Sequence, residues 1–190
     1  MTDSFKFDSL RRSALTTLAG GVAALSLIAC SGGETSTNSG AKGDPSQYEL
    51  ASDVGIGAED APVTFVEYAS VTCPHCSNWS KTVYPELKKK YIDTGKVRYI
   101  YRPFPTPPQE LADAGHMIAM CAGDDKFLTN IKYQFENQEQ ILNMARAGDA
   151  RKAYVGIAKN SGMSEEEFAE CITNPDIQKE YQAIVQSGID

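Results

Sequence analysis

The residue pattern of this chain predicts an α/β fold: two parallel strands joined through a helix, followed by a block of helices. Three observations predict it. Val63 to Ala69 is an apolar, β-branched and aromatic run that reads as a buried strand, stops at a short bend and leads into Cys73-Pro74-His75-Cys76 at a helix start. Lys96 to Phe104 (KVRYIYRPF) alternates and is rich in aromatic and β-branched residues. From Gln109 onward, apolar residues recur at helical spacing and no β-rich run follows.

The chain has 190 residues, 42% of them hydrophobic, which suits one domain of moderate size or a domain with an insertion. Its formal net charge of -7 argues against a nucleic-acid partner. The five cysteines fall into three groups: Cys30, the Cys73/Cys76 pair, and Cys121 with Cys171.

Met1 to Cys30 reads as an export signal. Arg11 and Arg12 supply the positive end, and Ala14 to Ala29 is apolar but short and rich in small residues. Its end, Leu27-Ile28-Ala29-Cys30, resembles the bacterial lipobox. That resemblance implies a lipid on Cys30, a membrane anchor and a place in the periplasm; ordinary secretion or a retained anchor are the alternatives. Residues 31–46 are rich in Gly, Ser and Thr with almost nothing to bury, and read as a flexible tether.

Export places the cysteines where disulfides persist. Cys73 falls at the start of the helix, where free N–H groups and the dipole favour a thiolate. Pro74 fits the first turn, which needs no N–H from it. His75 lies beside the sulfur and can stabilise its anion further. Cys76 follows one turn later as the more buried, resolving thiol. Glu67 is a lone carboxylate in an apolar strand, where burial would raise its pKa and suit it to proton transfer; an exposed or ion-paired glutamate is the alternative.

Other uses of the pair fit less well. Zinc wants four ligands, and no second CxxC or His pair lies near. Haem attachment needs His where Ser77 stands. Copper held by Cys73, Cys76 and the distant His116 stays open, although His116 reads first as a helical packing residue. No metal and no cofactor is expected.

The helix from Cys73 is expected to run to about Tyr91, with Trp79, Val83 and Leu87 on its buried face and Lys88 to Lys90 at its solvated end. Gly95 closes the segment, and the right-handed crossover rule makes the next strand parallel to the first. Helices are expected over Leu111 to Cys121, Asp124 to Glu136, Gln138 to Ala147 and Ala150 to Lys159. Ser164 with Glu167 forms a capping box for another, and Asp176 to Gln186 makes the last. Apolar neighbours bring Cys121 and Cys171 inside. They either remain two thiols or pair, and closing about 50 residues would then add ~3–4 kcal/mol.

The run Ala-Pro-Val-Thr-Phe-Val-Glu-Tyr ahead of Cys73-Pro74-His75-Cys76 resembles the DsbA family of thiol-disulfide oxidoreductases. The resemblance implies a thioredoxin-like fold with an inserted helical domain. It makes Cys73 the exposed nucleophile and Cys76 the resolving thiol, puts Glu67 under the active site, and agrees with a second disulfide between Cys121 and Cys171. Residues 47–105 then form the N-terminal part of the thioredoxin-like domain and 106–175 the helical insertion over a substrate groove. Residues 176–190 are the helix leading back to the C-terminal part of the thioredoxin half, which is expected to be missing. An uncovered sheet face and an open strand edge are expected with it. The implied partners are unfolded or folding exported proteins and a membrane redox partner that reoxidises the CxxC. The implied function is disulfide formation; an isomerase or reductase of the same superfamily, and a non-enzymatic holdase or copper-carrying lipoprotein, are the alternatives.

Overall fold

The computed structural model describes residues 48–190, so the expected export signal, Cys30 and the expected tether lie outside the described residues. Among the described residues the sheet has three strands: β1 (Gly55–Ile56), β2 (Val63–Ala69) and β3 (Val97–Pro103), in the order β1-β3-β2. β2 and β3 are parallel, with Val63 opposite Val97 and Ala69 opposite Pro103, as a strand–helix–strand connection requires. β1 runs antiparallel to β3 and has only two residues, too few for a periodic signal.

Among the described residues eight α-helices accompany the sheet: α1 (Pro74–Thr82), α2 (Tyr84–Leu87), α3 (Gln109–Cys121), α4 (Asp124–Glu136), α5 (Gln138–Arg146), α6 (Ala150–Asn160), α7 (Glu165–Thr173) and α8 (Pro175–Ser187). The capping box of α7 forms in full: the Glu167 N–H donates to Ser164 Oγ, and the Ser164 N–H donates to the Glu167 carboxylate. Asn174 accepts from the N–H groups of Asp176 and Ile177 and starts α8, so the interruption at Asn174-Pro175 spans no more than the cap itself. Among the described residues no helix is long and apolar enough to cross a membrane.

Two expectations are corrected. The helix after the cysteines is not continuous to Tyr91. It breaks at Val83, α2 follows, and Lys88–Ile92 forms a π-helical turn. Pro85 lies in the first turn of α2 and has no N–H to give the Lys81 carbonyl, the bond that a helix running on from α1 would need there. The break also turns Val83 outward to 47% exposure, so Val83 is not on the buried face, while Trp79 and Leu87 do pack against the core. Second, β2 is not a buried strand. It forms an edge of the sheet, and Val63, Phe65 and Tyr68 are exposed. The buried hydrogen-bonded centre is β3 instead, where Tyr99, Ile100 and Tyr101 are nearly sealed from solvent.

The core has two parts. One lies between the sheet and α1, α2 and α4, built on Ala69, Val97, Tyr99, Tyr101, Phe127, Ile131 and Phe135. The other lies within the helical block, around Ile118, Tyr154, Ile157 and Phe168. The opposite sheet face is partly covered rather than bare: the Tyr68 hydroxyl donates to the Ser187 carbonyl at the end of α8, 3.2 Å away. Residues 48–53 are strapped over β3 by Arg102, which donates to both carboxylate oxygens of Asp53 (2.8 and 2.6 Å) and to the Tyr48 carbonyl.

Candidate active site

The sheet delivers β2 into a loop, Ser70 to Thr72, and the loop delivers Cys73 to the first turn of α1. Cys73 is the N-cap residue: its backbone is extended and its Sγ accepts the N–H of Cys76 at 3.4 Å. A helix N-terminus carries partial positive charge, and a sulfur there faces donors that favour an anion. Pro74 is the first helical residue and His75 is exposed between the cysteines. Cys73 and Cys76 are both free and partly accessible. The two sulfurs differ in environment. Burial, then the neighbouring Cys73 sulfur, pushes the Cys76 thiol up to about 11; the negative charge of Glu67 adds to the rise.

Glu67 lies on the β2 face that meets α1. It is half-buried, burial raises its pKa, and the Tyr99 hydroxyl opposes that rise by donating to Oε2 at 2.5 Å. Around it Phe65 stacks on Trp79 and Tyr99, and Tyr84 closes the ring of aromatics against Trp79 and Tyr99. The site thus holds an acidic hydrogen-bonded group whose negative charge bears on the protonation of Cys76, in half-buried aromatic surroundings.

The loop before Cys73 is held by residues that sequence reasoning did not single out. Gln138, at the start of α5, donates through Nε2 to the carbonyls of Val71 (2.8 Å) and Cys73 (3.0 Å). Ser70 Oγ accepts from the Thr106 N–H, and Thr72 Oγ1 donates to the Thr106 carbonyl. Ser77 donates to the Phe135 carbonyl. Gly115 in α3 allows this closeness: a Cβ there would stand 2.8 Å from Val71 Cγ2 and 2.4 Å from Gln134 Oε1. Gln138 and Thr106 are ordinary residues in ordinary positions, and no local pattern marks them. Ser70 and Thr72 stood beside the motif, and two small hydroxyl residues in a strand-to-helix bend were the available signal.

His116, read as a packing histidine, is fully buried in α3. Its Nε2 accepts the Val71 N–H at 3.3 Å and lies 3.1 Å from the Tyr101 hydroxyl, which itself donates to the Ala69 carbonyl. Burial lowers its pKa to about 3. Among the described residues no three His, Cys, Asp or Glu gather as a metal site, and the engaged Nε2 is not turned to the cysteines. The unfolded chain takes up a proton at this histidine near pH 6.5 and the folded chain does not. Stability is therefore lost as pH falls below 6.5 toward 3, by ~2–3 kcal/mol between pH 6.5 and 4.5. Glu67, raised by burial, works in the opposite sense: its contribution is present below the ordinary glutamate range and lost as pH rises through its folded value. Urea unfolding of His116→Gln and of the unsubstituted chain from pH 7 to 4.5 separates the two; equal slopes against pH would remove His116 from this role.

Cys121 and Cys171 are joined, with Cα atoms 6.0 Å apart, and the bond ties α3 to α7 across 50 residues of chain. It lies within the helical block, apart from Cys73 and Cys76.

Comparison with known proteins shows the family. A family model described as thioredoxin matches residues 50–190. A Rickettsia conorii protein named "Putative protein-disulfide oxidoreductase" is 37% identical over 125 residues, which are 66% of this chain and 44% of that protein. The chain thus spans about half the length of the curated relatives it matches. The crystal structure of Wolbachia pipientis alpha-DsbA1 superposes with a TM-score of 0.66 at 30% identity, covering 74% of this chain and 69% of that one. BdbD from Bacillus subtilis, in its oxidised form, aligns with a TM-score of 0.55 at 21% identity over 73% of each chain, a likeness of fold. The family model covers well over half of the chain, and the chain belongs to the thioredoxin family as a DsbA-like member.

Proposed function

We propose that the protein is a thiol-disulfide oxidoreductase that introduces disulfides into exported polypeptides through Cys73 and Cys76. The observation that carries this reading is the inequality of the two sulfurs: Cys73 caps a helix and faces an N–H donor, while the Cys76 thiol is held up at about 11.

In the oxidised chain a substrate thiolate attacks Cys73 Sγ. The Cys73–Cys76 bond breaks, a mixed disulfide forms on Cys73, and the electron pair leaves on Cys76 Sγ. Cys76 takes a proton, for which the Glu67 carboxyl is the proposed donor. A second substrate thiolate then attacks the substrate sulfur of the mixed disulfide, and Cys73 departs as a thiolate at the positive end of α1. The substrate loses two electrons and the Cys73/Cys76 pair gains them. A membrane partner is proposed to remove those electrons, and a lipid on Cys30 in the periplasm is proposed to keep the two together. Residues 106–175 are proposed as the cap over the groove where substrate docks.

Oxidation is favoured over isomerisation because a leaving sulfur held where negative charge is welcome makes a reactive disulfide. Alkylation tests the reading. In the reduced chain at pH 8, iodoacetamide is expected to label Cys73 well before Cys76, and the oxidised chain is expected to convert a peptide dithiol to its disulfide. Equal labelling of the two together with no transfer would falsify the assignment.

A further inference from the structure

Beneath the cysteine pair, the Glu67 carboxyl has one hydrogen-bond donor aimed at it from the neighbouring strand. The Tyr99 hydroxyl reaches Oε2 at 2.5 Å. Tyr99 is 4% exposed, and its ring is fixed between Phe65 and Tyr84. It also forms part of the wall of an open cavity of ≈ 280 Å³ between the sheet, α2 and α4, with Ser80, Lys88 and Lys132 among the other lining residues.

We propose that Tyr99 is a positioning residue for disulfide exchange: its hydroxyl holds the Glu67 carboxyl in place and sets how readily that carboxyl gives its proton to Cys76. This rests on the reading of Glu67 as the proton donor to Cys76. When Cys76 leaves as a thiolate, the proton moves from the carboxyl to Sγ, and a thiol and a carboxylate remain. The carboxylate forms half-buried, and a hydrogen bond to it strengthens as its charge develops. The Tyr99 hydroxyl is already in place for this, so no group has to reorganise. Burial alone would hold the proton on Glu67 too tightly, and the hydroxyl offsets that.

The other titratable groups near Glu67 do not compete. Tyr84 from α2 is pushed up to about 12, and Tyr99 and Tyr101 from β3 are raised further, in each case first by burial. All three stay protonated in the working range, so Tyr99 stays a donor. From α1 the facing groups are Cys76 and Cys73 themselves. Of the lysines on the cavity wall, Lys88 pairs with Asp93 and Lys132 with Glu136.

The test uses the full chain with ¹³C-labelled glutamate and infrared titration, the Glu67 band being the one that Glu67→Gln removes. Tyr99→Phe keeps the ring and deletes the donor. It is expected to move the Glu67 midpoint up by about one to two pH units, and to move the pH profile of Cys73–Cys76 reduction by dithiothreitol in the same direction. A structural role alone would change the unfolding midpoint and leave both profiles where they were. An unmoved Glu67 midpoint in a folded Tyr99→Phe chain overturns the inference. Should that variant not fold, 3-fluorotyrosine in place of tyrosine makes the hydroxyl a stronger donor and is expected to lower the midpoint; no change there overturns it equally. If Glu67→Gln leaves the dithiothreitol profile untouched while Tyr99→Phe still moves the carboxyl band, the Glu67 reading fails, and Tyr99 is reduced to a structural partner.

Discussion

A chain carrying Cys73→Ser is expected to fold as before and to transfer disulfides no faster than free thiols exchange in solution. Serine is among the preferred N-cap residues, so its hydroxyl can take over the Cys76 N–H that Cys73 Sγ now accepts. The helix start is preserved, and what disappears is the sulfur that a substrate thiolate attacks. Cys76→Ser is expected to behave differently. Offered a peptide disulfide, Cys73 still attacks it and forms a mixed disulfide, but no neighbouring thiol releases the peptide, so the covalent complex accumulates. Non-reducing electrophoresis separates the two outcomes. Trapped complexes in Cys73→Ser rather than in Cys76→Ser would reverse the roles given to the two cysteines.

Asp53→Ala is expected to destabilise the chain by ~3–5 kcal/mol, the usual loss when one member of a buried ion pair is removed. The Asp53 and Arg102 side chains are 2% and 7% exposed, and Arg102 also donates to the Tyr68 hydroxyl at 2.5 Å and to the Tyr48 carbonyl. Without the carboxylate, a guanidinium stays in β3 with two neutral partners and no charge to balance it. The strap of residues 48–53 loses its ion pair with Arg102 and keeps the Arg102 bond to the Tyr48 carbonyl and the Arg98 bonds to Glu49. The paired replacement Asp53→Leu with Arg102→Met removes both charges together, and is expected to recover most of the loss. Urea titration at pH 7 measures both. A loss under 1 kcal/mol for Asp53→Ala would mean that water reaches Arg102 and that the pair is effectively exposed.

The sequence was most legible where the signal is local. β2 and β3 lie where alternation and β-branched residues put them, and the capping box of Ser164 and Glu167 starts its helix. The Cys-x-x-Cys at the α1 N-cap was visible because strand, bend and helix start fall within a few residues. Pro85 is a helix breaker, but the periodicity of Trp79, Val83 and Leu87 alone carries an unbroken helix past it, and Val83 was misplaced for that reason. The exposure of β2 depends on which strands pair beside it, which no window of sequence contains. The same holds for Tyr99 on Glu67, for Gln138 on the loop and for Asp53 on Arg102. Each joins residues separated by 32 to 67 positions, and each partner taken alone is an unremarkable strand, helix or loop residue.

The Gln138 contact has a consequence for synthesis. The carbonyls of Val71 and Cys73 receive their donor from a residue 65 or more positions later, and the Val71 N–H waits for His116. A polypeptide made from its N-terminus exposes the cysteine pair first and the groups that immobilise it afterwards. During that interval the two thiols sit on an unfinished backbone, open to the wrong partners. The speed with which α3 and α5 arrive governs how much newly made protein matures with the pair intact.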